Sequence, residues 1–147
     1  MAGPVIKFNS TAEIMPYLRE WKHRLFLDEW IICVGFHSLD EYPDENGHVE
    51  FSIMNKTATI TLLDSDHMQD DERIMRNCHE LILVHELLHL KIGFLDAPST
   101  AEGRLWRVHE HQLIYEMSKS LIMAKYNIGL DWFVTGLDNT IGEHHSE

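Results

Sequence analysis

Six segments of the chain space their apolar side chains regularly, and the period changes from segment to segment. In "STAEIMPYLREWKHRLFL" Ile14, Tyr17, Leu18, Trp21 and Leu25 recur at intervals of three and four, which predicts a helix over 11 to 28. Ser10 or Thr11 with Glu13 behind offers a capping box, and Pro16 is tolerable only near the first turn. "EWIICVGFHSL" is dense in Ile, Val and Phe, which predicts a largely buried strand. "DEYPDENG" collects turn residues. "HVEFSIMN" and "KTATITLLD" then alternate with period two, two strands that a tight turn at Asn55 and Lys56 would pair antiparallel.

A helical pattern follows from Asp70 to Lys91, with acids at its start to suit the macrodipole and Gly93 as its stop. "STAEGRLWRVHEHQLIYEMSKSLIMAKY" predicts a last helix over 100 to 126, before a polar tail. The expected architecture is one α+β domain over 1 to 147, with its core in 11 to 127 and a tail over 128 to 147. It has an N-terminal helix, a small three-stranded, mostly antiparallel sheet, and two further helices.

Composition narrows the setting. The 147 residues suffice for a core without disulfides, and 44% hydrophobic with 24% charged content is ordinary for a soluble globular protein. A formal net charge of -12 opposes any surface built to hold phosphate backbones, so nucleic acid is not an expected partner. No apolar run is long enough for a membrane span, and the N-terminus lacks a charged and then apolar leader, which points to the cytoplasm. Cys33 and Cys78 sit in apolar contexts and read as buried thiols in a reducing compartment. His37, His67, His79, His144 and His145 read as surface or capping histidines.

Chemistry enters with "LILVHELLHLKIGF". His85 and His89 lie four apart, on one face of the predicted helix and one turn from each other, so both imidazoles can reach a single ion. Zinc suits imidazole nitrogen, and a catalytic zinc keeps a position open for water. Glu86 reaches the edge of the same site, where it could take a proton from the bound water as that water attacks a carbonyl. Aliphatic flanks make three unpartnered polar groups costly, and one Zn2+ per chain would satisfy them all.

A third ligand must come from elsewhere. In the last helix Trp106, Leu113, Ile114, Met117, Leu121 and Ala124 define an apolar face, and a helical wheel puts Glu110 at its centre. A carboxylate there needs a partner or a metal, so Glu110 is the expected third ligand; Arg104 or Arg107 could pair with it instead. His109 and Glu116 fall on the flanks as alternatives, and His111 points away. His109 and Tyr115 are candidates for steadying an oxyanion. Cys78, two turns before His85, is assigned to core packing.

"VHELLHL" together with Glu110 in "HEHQLIYEM" resembles the gluzincin branch of the zincin metallopeptidases, especially small single-domain members of the kind carried by phage and prophage. Ile92 and Leu95 stand where HExxHxxGxxH families and an rRNA-maturing endoribonuclease family need Gly and His. The resemblance implies a zincin-like fold, bound zinc and hydrolysis of peptide bonds in a protein or peptide substrate, with Glu86 as general base. It also implies that an edge strand, here Thr57 to Leu63, holds the substrate by β-augmentation. Ile114 stands where many gluzincins place an Asp that orients a ligand histidine. The competing expectation is a non-catalytic, zinc-stabilised interaction module, in which a fourth protein ligand such as His109 closes the metal site.

Overall fold

The computed structural model describes residues 3–64, 77–92 and 100–133. Helix α1 (Thr11–Arg24) starts where the capping box predicts, with the Ser10 side chain accepting from the Glu13 N–H. It buries Ile14, Leu18 and Trp21 and stops short of the expected 28, because Phe26 turns into the left-handed region at φ 60°. Strands β1 (Ile31–His37), β2 (Gly47–Ser52) and β3 (Thr57–Leu63) follow. After them come helix α2 (His79–Ile92), helix α3 (Ala101–Tyr126) and a 3-10 turn at Leu130–Trp132. The chain is α+β, as the sequence implies. The predicted first turns of the second helix and its Gly93 stop lie outside the described residues. So do His67, His144, His145 and the end of the tail.

The sheet order is β1-β3-β2. β2 and β3 pair antiparallel, Ser52 opposite Thr57, through a turn in which Lys56 adopts φ 53°. β1 pairs with β3 in parallel, Ile31 opposite Thr57. Two expectations fail here. The sheet is mixed rather than mostly antiparallel, and Thr57–Leu63 is its central strand rather than an edge. Among the described residues, β1 and β2 are the edge strands. Alternation along β3 could not show this, because Ala58, Ile60 and Leu62 are buried against the helices whichever neighbours flank them.

α2 is buried on nearly every side, and its polar ends find partners. The Val5 and Ile6 carbonyls accept the Glu80 and His79 N–H groups, which relieves two of the four orphan donors at the helix start. His79 is fully buried, a correction to its expected surface place. Its Nδ1 accepts from the Phe8 N–H at 2.8 Å, so Nε2 carries the proton and donates to the Leu63 carbonyl at 2.7 Å. Burial holds its pKa below the ordinary imidazole value. His37 is buried too, between Thr61 Oγ1 and the Glu45 carbonyl. Of the two thiols, Cys78 is buried but Cys33 is exposed on the outward face of β1.

Glu80 is the deepest acid, with no exposed surface. Its carboxylate accepts from the Val5 N–H at 3.0 Å, the Trp21 indole at 2.9 Å, Lys125 Nζ at 2.7 Å and the Tyr126 hydroxyl. One side chain thereby ties the N-terminal segment, α1 and the end of α3 to the first turn of α2. Burial works against the Lys125 charge, yet its bonds to Glu20 and Glu80 raise its pKa above the ordinary lysine value. Among the described residues, no helix is long and apolar enough to cross a membrane.

Removing Glu80 strands three neutral donors and takes one of two carboxylate partners from the Lys125 ammonium, so Glu80→Ala should cost about 3–5 kcal/mol, measured by urea unfolding. Lys125→Met added to Glu80→Ala should cost less than Lys125→Met alone, because the charge it removes has already lost the buried one of its two carboxylate partners.

Candidate functional site

α2 presents His85, Glu86 and His89 to a cleft of about 540 Å³. β2 and the loop before it form one wall, and His111 and Tyr115 of α3 form another. The ring centroids of His85 and His89 are 5.2 Å apart, and those of His89 and His111 also 5.2 Å. One ligand nitrogen from each of His85, His89 and His111 can be chosen so that all lie within 4.8 Å of one another. None of the three imidazoles has a hydrogen-bond partner among the described residues. Burial lowers the pKa of His85 to about 4, helped by His89 and His111, and that of His89 to about 4, helped by His111. At neutral pH both are uncharged, with a lone pair each for a metal.

The pairing of His85 with His89 on one helix face is the one the sequence predicts. The contribution of α3 differs. His111, expected to point away, joins the cluster, and Glu110 is not part of it. Glu110 instead stands behind His89, its Oε2 3.7 Å from Nδ1. That is the side from which a carboxylate orients an imidazole whose other nitrogen faces a metal. His109 and Glu116 are exposed and line no part of the cleft. Tyr115 does line it, its ring edge-on to His85 at 5.2 Å.

The cause is a rotation of α3 by about a quarter turn from the expected face, at 100° per residue. Trp106 and Leu113, which dominated the wheel, are 61% and 46% exposed, whereas Gly103, Ile114, Ser118 and Ile122 are buried. Small residues let helices approach closely yet add almost nothing to an apolar pattern. Counting Gly103 and Ser118 as interface residues would have moved the centre of the face toward His111.

Glu86 is 6% exposed and accepts no hydrogen bond among the described residues. Burial pushes its pKa up to about 8; the nearby Glu45 adds to this and His48 opposes it. β2 crosses directly above it at Gly47. A Cβ on that residue would lie 2.5 Å from Ile82 Cγ2 and 2.7 Å from Glu86 Oε2, so only glycine lets the strand pass this close. Gly47→Ala should therefore displace the Glu86 carboxylate and cost about 1–3 kcal/mol in urea unfolding.

The three shifts fix how the metal-free protein responds to pH. Between about 4 and 6.5 the unfolded chain binds protons at His85 and His89 that the folded one refuses, so these groups make stability rise with pH. Between 4.5 and about 8 the folded chain retains a proton on Glu86 that the unfolded one releases, which makes stability fall with pH. Above about 6.5 only the Glu86 effect persists of these three, and His48, whose pKa rises against burial because of its bonds to Glu45 and Glu50, adds a decline of the same sign. Thermal unfolding of metal-free protein should show stability declining from pH 6.5 to 8, with a Glu86 share of up to about 2 kcal/mol that is lost in Glu86→Gln. An equal decline in the variant would assign it to other groups.

Comparison with protein-family models, with curated proteins and with solved structures finds no match.

Proposed function

We propose that the chain is a zinc-dependent peptidase of the zincin kind, with His85, His89 and His111 as metal ligands and Glu86 as general base. The observation that carries this reading is the meeting of three imidazoles, none of them hydrogen-bonded among the described residues, beside the largely buried Glu86 carboxylate, all opening on one cleft. The imidazole of His111 is exposed and those of His85 and His89 are half-buried, so their nitrogens face the cleft, where one divalent cation could draw on all three. The donor set fits, since neutral imidazoles suit zinc and three ligands are the number a catalytic site uses. With His111 in place of Glu110 the ligand set is three histidines and departs from the gluzincin pattern.

A cation bound there supplies positive charge that acidifies water and polarises a carbonyl. Glu86, whose pKa burial raises, would be ionised beside that charge, and would take the proton of the attacking water and deliver it to the leaving amine. Glu110 holds the His89 ring in place. Tyr115, which lines the cleft beside His85, is the candidate to donate its hydroxyl to the oxygen that becomes negative as the carbonyl is attacked. A purely structural zinc would fill all four positions with protein, and the candidate for that closure, His109, lies outside the cleft.

Metal analysis of the purified protein should find about one zinc per chain. It should be lost in His85→Ala, His89→Ala and His111→Ala, and held about 10- to 100-fold more weakly in Glu110→Gln. Glu86→Gln should keep the zinc and lose about 10²–10⁴-fold in hydrolysis of an unfolded protein. Zinc retained by His111→Ala but lost from Glu110→Ala would return the third ligand to Glu110. Equal hydrolysis by wild type and Glu86→Gln would refute the general-base role.

A further inference from the structure

The β1–β2 loop is held in place over one end of the cleft. His37 Nε2 donates to the Glu45 carbonyl at 2.9 Å, and the Leu63 N–H donates to the Asn46 carbonyl at 2.8 Å. His48 bridges the Glu45 carboxylate at 2.8 Å and that of Glu50 at 3.1 Å, and Tyr42 stacks on its ring at 3.9 Å. The loop is therefore a fixed rim, and it sets Asp44 and Glu45 into the cleft lining.

Among the described residues, no Lys or Arg lines the cleft. Beyond the rim, where Gly47 passes over α2, the floor carries the buried and unpartnered Glu86. Val49 and Phe51 lie further along β2, each residue advancing about 3.3 Å, so the same wall turns from acidic to apolar within one short peptide's length. His48 offsets part of the charge on Glu45, but Asp44 is exposed and has no ion-pair partner among the described residues.

We propose that the cleft accepts an extended peptide carrying a lysine or arginine side chain, which the Asp44 and Glu45 rim reads where β2 begins. The reaction rests on the peptidase reading of the same cleft; the selectivity rests on charge complementarity. Asp44 and Glu45 act as specificity residues, and the histidine imidazoles lie beyond them toward the reacting bond.

The test uses zinc-loaded Glu86→Gln protein and two fluorescein-labelled, alanine-rich peptides that differ only in a central Lys-Lys or Glu-Glu pair. At low salt the basic peptide should bind about tenfold more tightly, and the difference should shrink as the ionic strength rises. Asp44→Lys should bring the two peptides to within about twofold. Glu29→Lys changes net charge equally at a site paired with Lys56, and it should leave the preference intact. Equal or undetectable binding of both peptides, or the same loss in Asp44→Lys and Glu29→Lys, would overturn the proposal. Wild-type hydrolysis of the same peptides separates the two readings. A preferred but uncut basic peptide removes the peptidase reading alone, and cleavage of both peptides at equal rates removes the selectivity alone.

Discussion

A carboxylate without solvent fixes how α2 sits in this protein. Glu80 lies in the first turn of the most buried of the described helices, and a carboxyl group there is tolerable only with its oxygens hydrogen-bonded. Its partners come from the N-terminal segment, from α1 and from α3, so satisfying Glu80 requires those parts to arrive together. His79 makes a matching demand on the end of β3. The helix therefore has one acceptable rotation and one depth. Glu80 stands about 140° around the helix from His85, and the bonds that hold it orient the opposite side toward the cleft.

The same economy of polar groups explains the cleft by contrast. Around Glu80 and His79 every buried polar atom meets a partner from the protein. No hydrogen bond from the described residues meets His85, Glu86, His89 and His111, Glu110 standing 3.7 Å from His89, and burial shifts the titration of His85, His89 and Glu86 toward their neutral forms. Two polar clusters less than two turns apart on one helix thus differ in kind. One is closed and structural, and the other opens on a cleft. Gly47 makes the open cluster compatible with a strand packed directly over it.

Much of the fold is legible along the chain because it is local. The capping box at Ser10 marks the start of α1, the alternation of "TATITLL" marks β3, and the pattern over 100 to 126 locates α3 almost to the residue. His79 and His37 escape that reading, since a histidine that spans strand, loop and helix backbone looks in sequence like any surface histidine. Glu80 escapes it as well. An acid at a helix start suits the dipole, so nothing local shows that an indole and a lysine await it.

The site divides along the same line. Spacing alone determines that His85 and His89 share a face with Glu86 beside them, because the helix repeat is a property of the backbone. Whether His111 or Glu110 completes the group depends on the rotation of α3, and buried small residues set that rotation through contacts remote in sequence. Which strand borders the cleft depends on β1 pairing in parallel with β3. A strand's own alternation is silent about its neighbours, so only the tertiary structure could put β3 at the centre and give the cleft wall to β2.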